Sequence, residues 1–223
     1  MAVADVREKP GIFREAPIFD SLLFASGNRH KYDEFLELLP GYAAKRLIFA
    51  PELPNLSRTP EVEETGETYM MNALLKAMAW SSASGLPSLA DDSGLEVEAL
   101  GWGPGVRSAR VSDGERPLSS DAERNKWLLG RMAGNKTGRR ASFVAVVAVS
   151  VPGEWALACE GICDGRLATR ETGGHGFGYD PLFVPDGYDA SFGELPPFVK
   201  NRISHRAKAV TALFDILRGK QEM

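Results

Sequence analysis

The sequence predicts an α/β fold built on a mixed sheet. Strand and helix character alternate along the first half of the chain, and an apolar hairpin follows in the second half. No internal repeat, low-complexity stretch or break in composition divides the 223 residues. One domain over residues 21–219 is therefore expected, preceded by an N-terminal extension over residues 1–20.

Ser21 to Ala25 is a short apolar run and reads as the first strand, with Ser26-Gly27-Asn28 turning at its end. Tyr32, Phe35, Leu36, Leu38 and Leu39 then recur at helical spacing until Pro40-Gly41 stops them. Leu47 to Ala50 reads as a second strand and Pro51 to Pro60 as a loop. The acidic stretch Glu61 to Glu67 opens a helix expected over Thr68 to Trp80. Tyr69, Ala73, Leu74, Ala77 and Met78 are its core contacts, and Ser81 to Pro87 ends it. Ser88-Leu89-Ala90 leads as a strand into Asp91-Asp92-Ser93-Gly94, and Leu95 to Leu100 continues extended. Gly101 to Gly105, with Pro104, must turn sharply.

Asp121 to Met132 is a helix whose acidic start suits the helix dipole. Ala141 to Val151 and Glu154 to Gly161 read as an antiparallel pair turned at Pro152-Gly153. A glycine-rich loop, Gly173 to Gly178, precedes Tyr179-Asp180-Pro181. The last helix begins near Ser204 and runs to about Leu217.

Composition narrows the function. A hydrophobic fraction of 43% and a charged fraction of 25% are ordinary for a soluble globular chain, and this length buries a core without staples. The net charge of −4 argues against a broad nucleic-acid face but leaves room for a small anion. Cys159 and Cys163 lie four apart on an expected strand, on one face and too far apart for an easy disulfide. Two isolated thiols form neither a zinc site nor a disulfide framework, which suits a reducing cytosol. Residues 1–20 contain no apolar signal-peptide core. The longest apolar run, Phe143 to Val149, is too short to span a bilayer as a helix. A cytoplasmic protein without membrane or nucleic-acid partners is expected.

Four segments can carry chemistry. Ser26-Gly27-Asn28-Arg29-His30-Lys31 sets small residues at a strand end, a cap at Asn28 and Lys31 inside the following helix. Backbone N–H groups and the helix dipole favour a phosphate there, although a capped helix start without ligand also explains the pattern. Glu61 to Glu67 concentrates four carboxylates before a helix, which a solvated first turn also explains. Asp91 and Asp92 are adjacent on a strand and face opposite ways, so one can face a ligand while the other is structural. Magnesium prefers one or two carboxylates plus phosphates and waters, and Glu63 with Asp92 fit that need.

In Gly173 to Pro181, four glycines surround Phe177 and Tyr179, and Phe177 can stack on a base. Finally, Lys200, His205 and Arg206 surround a helix start that Ser204 can cap. These donors can read keto oxygens on a base edge, or simply form a basic, capped surface helix.

Taken in order, these segments resemble the inosine triphosphatase family, whose bacterial members are Ham1-like dITP/XTP pyrophosphatases. The resemblance lies in Ser26-Gly27-Asn28-x-x-Lys31, Glu63-Glu64-Thr65-Gly66, Asn72-Ala73-x-x-Lys76-Ala77, Ala90-Asp91-Asp92-Ser93-Gly94-Leu95, Gly103-Pro104-Gly105-Val106, Phe177-Gly178-Tyr179-Asp180-Pro181 and Ser204-His205-Arg206. It spans roughly Leu22 to Leu217. It implies an elongated α/β fold with a central mixed sheet and two lobes around a substrate cleft, in a homodimer that uses Mg²⁺. The implied reaction cleaves non-standard purine nucleoside triphosphates (ITP, dITP, XTP) to monophosphate and pyrophosphate.

By the same resemblance Ser26, Gly27, Asn28, Arg29, His30 and Lys31 hold the triphosphate. Glu63 and Asp92 bind magnesium, Asp92 also activates water, and Ser93 touches substrate. Phe177, Gly178, Tyr179, Asp180, Lys200, His205 and Arg206 form the nucleobase pocket. Lys76 matches a family lysine that points toward the phosphates. Two places depart from the family. Pro196-Pro197-Phe198-Val199 precede Lys200 where an acidic or polar run is usual, and Trp102 stands where a small residue is common. A Maf-type pyrophosphatase and a non-catalytic nucleotide sensor are the rival readings. The first has a different signature, and the second needs no water-activating carboxylate.

Overall fold

The computed structural model describes residues 17–53, 60, 62, 66–134 and 138–221. Among these, seven strands form one sheet: β1 (Phe19–Phe24), β2 (Ala44–Phe49), β3 (Ser88–Val97), β4 (Gly103–Pro104), β5 (Arg140–Val151), β6 (Trp155–Leu167) and β7 (Phe183–Pro185). Their order is β2-β1-β3-β5-β6-β7, with β4 on β3. β1 pairs in parallel with β2 and β3, while β4 and β7 pair antiparallel with β3 and β6. The sheet is mixed, as expected from strand–helix alternation followed by a hairpin. Five helices accompany it: α1 (Arg29–Leu38), α2 (Tyr69–Ser84), α3 (Asp121–Arg131), α4 (Pro197–Ile203) and α5 (His205–Gln221). None of the described helices is long and apolar enough to cross a membrane.

The chain divides into two compact units, the first of residues 1–92, 146–160 and 209–223, the second of residues 93–145 and 161–208. In the first unit Leu22 and Phe24 of β1, Leu47 of β2, Leu89 of β3 and Val147 and Val149 of β5 pack with Phe35 of α1 and Leu213 and Phe214 of α5. The Phe24 and Phe35 rings lie 4.9 Å apart. The second unit has its own core of Leu95, Val97, Leu128, Phe143, Leu182, Phe183 and Phe192. The Phe143–Phe183 and Phe183–Phe192 centroids are 4.5 and 5.4 Å apart there, within the range of favourable ring contacts.

Several sequence expectations need correction. α2 runs on to Ser84, because the Ser84 hydroxyl donates back to the Trp80 carbonyl at 2.6 Å and Gly85, at φ +69°, supplies the left-handed stop. Met78 is exposed rather than core, since α2 is apolar on several faces and only one meets the sheet. Asp91 and Asp92 lie inside a ten-residue strand instead of at its end. α4 precedes Ser204, where the last helix was expected to begin, and Pro197 opens it, a position where proline's missing N–H costs nothing. The hairpin strands extend beyond the expected bounds, β6 as far as Leu167. Trp102 adopts φ +64°, a left-handed conformation that favours small residues.

Candidate active site

The described site residues gather into two groups, each within its own unit. In the first unit Ser26 lies two residues past the end of β1; its Oγ accepts the Asn28 N–H at 3.1 Å, and Asn28 Oδ1 accepts the Lys31 N–H at 3.1 Å as the cap of α1. The cap starts the helix immediately after the strand and sends Lys31 toward β3. There Lys31 Nζ pairs with the buried Asp91 carboxylate at 3.1 Å. Gly27, Asn28, Arg29 and His30 are exposed. The Arg29 guanidinium donates to Asp33 and Glu52 at 3.0 and 2.8 Å.

Asp92, one residue on and on the opposite face of the strand, meets α2 instead. Lys76 Nζ lies 3.2 Å from its Oδ1 and donates to the Asp91 carbonyl at 2.7 Å. Asn72 Nδ2 donates to Asp92 Oδ2 at 3.1 Å. Both oxygens of this buried carboxylate thus face a donor, which fixes its plane. The Asn72 amide also accepts the Gly66 N–H at 2.9 Å and donates to the Gly66 carbonyl. A Cβ on Gly66 would stand 2.5 Å from Asn72 Oδ1, so the clamp requires glycine. Glu63 lies outside the described residues, and Gly66 is three positions on from it.

Asn72 has no assigned role in the sequence reading. Its signal was its i,i+4 relation to Lys76, which puts two polar side chains on one face of an otherwise apolar helix. Among the described residues no group of three or more His, Cys, Asp or Glu converges as a metal cluster. Magnesium does not need one, because one or two carboxylates suffice when phosphates and waters complete its shell. The buried, hydrogen-bonded carboxylate of Asp92 is a donor of that hard type.

In the second unit, Asp180 organises the aromatic loop. It is 2% exposed, accepts the Phe177 N–H at 2.9 Å and pairs with Lys200 Nζ at 2.7 Å. The Lys200 ammonium lies 4.8 Å from the Phe177 ring centroid and the Arg206 guanidinium 5.1 Å from it. Two cations thus hold one half-buried ring by its quadrupole. Arg206 Nη2 donates to Ser93 Oγ at 2.7 Å. The Tyr179 hydroxyl donates to the Ser108 carbonyl at 2.9 Å, and burial pushes its phenol well above the usual range, so it stays a neutral donor. Gly178 donates its N–H to Asp121. His205 is buried and stacks on Phe143, with centroids 4.7 Å apart and planes 11° apart.

The Ser204 Oγ accepts the Ala207 N–H, capping α5 as expected. Lys200 lies in the last turn of α4, so the proline departure leaves this lysine on a helix. One unit holds a buried carboxylate with amide and ammonium donors, and the other holds an aromatic platform under two cations. The first suits proton acceptance and a hard metal, and the second suits a flat, hydrogen-bonding ring.

Comparison with known proteins gives the same direction. The sequence profile of the Ham1 family matches residues 22–216. A dITP/XTP pyrophosphatase of Rhodospirillum centenum is 44% identical over 194 residues, 87% of this chain and 93% of that protein. A dITP/XTP pyrophosphatase of Deinococcus deserti is 46% identical over 192 residues, 86% of each chain. The solved structure of a HAM1 protein from Coxiella burnetii is 38% identical and gives a TM-score of 0.76, covering 89% of this chain and 98% of its own.

Proposed function

The chain belongs to the Ham1 family, and from that membership we infer that it hydrolyses non-standard purine nucleoside triphosphates (ITP, dITP, XTP) to the monophosphate and pyrophosphate. The observation that carries this reading is 44% identity to a dITP/XTP pyrophosphatase across 87% of the chain. The Phe177 platform under Lys200 and Arg206 supports a purine as the recognised group. Six-keto purines present an acceptor where adenine presents an amine. Donors at Lys200, His205 and Arg206 would lose partners against adenine, the kind of mismatch that gives strong rejection.

In the proposed mechanism Asp92 accepts the proton of the attacking water. Asn72 and Lys76, bonded to its two oxygens, hold the carboxylate in plane. Lys31, at the capped start of α1, the side chains of Ser26 and Asn28 and the N–H groups of Gly27, Arg29 and His30 face the triphosphate, where a helix start favours anions. Ser93, held by Arg206, touches substrate, and Gly178, Tyr179 and Asp180 shape the base pocket around Phe177. Magnesium is the proposed cofactor, held by Asp92 and Glu63. It would screen phosphate charge and stabilise the leaving pyrophosphate. The clamp of Asn72 on both Gly66 and Asp92 supports this ligand pair, because Gly66 is only three positions from Glu63 in the sequence.

The proposed setting is the cytoplasm, where the nucleotide pool lies, with no nucleic-acid or membrane partner. The proposed assembly is a homodimer. Met71, Leu75 and Met78 are exposed at i, i+4 and i+7 on α2, an apolar stripe of the kind that two copies can cover. A monomer in sedimentation equilibrium would contradict the dimer. The test of the site is Asp92→Asn. The amide oxygen can still accept from Lys76, but its NH2 then faces the Asn72 amide, so the melting temperature should fall while the chain still folds, and turnover of ITP should fall at least about a hundredfold. Near-normal turnover would refute the assignment.

A further inference from the structure

The Phe177 ring is carried between two glycines that both hold left-handed backbones, Gly176 at φ +74° and Gly178 at φ +63°. Glycine moves between such conformations with little steric resistance. The ring's orientation therefore depends on what holds the peptides on either side. The N–H before Phe177 is held within the loop by Asp180. The N–H after it, on Gly178, donates to Asp121 Oδ2 at 2.6 Å, across 57 residues of sequence.

Asp121 is the first residue of α3, yet α3 does not need it as a cap. Ser120 and Glu123 form the full capping box, and Glu123 also accepts from Ser119 and Arg116. Asp121 is instead turned toward the loop. Its other oxygen is paired with Arg124, which is itself anchored on the Leu118 carbonyl at 3.0 Å. A short bond from an N–H to a carboxylate braced in this way is charge-assisted and directional.

We propose that Asp121 is a positioning residue for nucleobase binding. It locks the Phe177–Gly178 peptide and thereby sets the Phe177 ring at the angle that stacks on the purine. The proposal rests on the reading of Phe177 as the base platform. Stacking acts alike on the bound substrate and the transition state, so its loss raises KM and leaves kcat near its starting value.

The experiment compares the parent chain with Asp121→Ala, Asp121→Asn and Glu123→Ala, measuring KM and kcat for ITP and the melting temperature of each. Asp121→Ala should raise KM roughly tenfold with kcat nearly unchanged, the loss of one charge-assisted bond. Asp121→Asn, whose amide oxygen still accepts, should recover most of the affinity. Glu123→Ala removes a carboxylate from the same helix start without touching the loop. It should lower the melting temperature while leaving KM in place. If Asp121→Ala does not fold, the asparagine variant decides, with a rise of roughly threefold expected from the weaker neutral acceptor. Equal KM values for the parent and the Asp121 variants, or an equal KM shift in Glu123→Ala, would overturn the assignment. A parent chain that does not hydrolyse ITP would instead strike the functional reading itself.

Discussion

A methyl group placed on Gly176 would meet Asp180 Oδ2 at 2.1 Å, on a backbone whose φ of +74° already disfavours any side chain. That carboxylate holds both the Phe177 N–H and the Lys200 ammonium. Gly176→Ala should therefore displace Asp180, release Lys200 from its place over Phe177 and raise KM for ITP by roughly tenfold or more, since a buried charge loses its partner. Retention of the parent KM would mean that the loop tolerates a different path. At this scale the sequence revealed residue types better than partners. Phe177, Lys200 and Arg206 could be singled out because aromatic and cationic residues near glycines are conspicuous. Asn72 showed only as a polar neighbour of Lys76 and Asp121 only as an acidic helix start, because their roles exist through contacts with Asp92, 20 residues away, and Gly178, 57 residues away.

Among the elements, α3 shows how a capped helix start can be read through its pH response. Glu123 takes bonds from Arg116 and from the Ser119 and Ser120 backbone, and these hold its carboxyl well below the usual range, at about 2. A depressed folded-state value means that the stabilisation is fully present above the unfolded value and is lost as pH falls through the folded one. The gap in melting temperature between the parent and Glu123→Gln should accordingly be constant above about pH 4.5 and shrink toward pH 2. A gap that persists unchanged at pH 2 would show that the charge is irrelevant. Elements with local signals were legible in advance. Asn28 and Ser204 cap the helices that follow them, and Pro152-Gly153 turns the hairpin. α4 carried no such signal, since paired prolines mask a short helix although proline is well placed at a first helical position. The passage of β3 straight through Asp91 and Asp92 was also hidden. Carboxylates inside a buried strand are tolerable only with partners, and those lysines come from α1 and α2.

For the molecule as a whole, a mixed α/β sheet followed from the alternation of elements and is what the strands form. The order β2-β1-β3-β5-β6-β7 was not legible, and a division in two was expected only through the family resemblance. Neither leaves a mark in composition, because β3, β5 and β6 each contribute residues to both units. The functional account joins a proton-accepting carboxylate, a hard metal and a platform for a keto purine, and together these predict one reaction and one selectivity. The most direct measurement is product analysis of ITP, XTP and ATP incubated with the chain and magnesium, with a parallel incubation in EDTA. The account predicts inosine monophosphate and pyrophosphate in equal amounts, no orthophosphate, ATP turned over at least about a hundredfold less efficiently, and no reaction in EDTA. Inosine diphosphate with orthophosphate, equal turnover of ATP, or undiminished release in EDTA would contradict it.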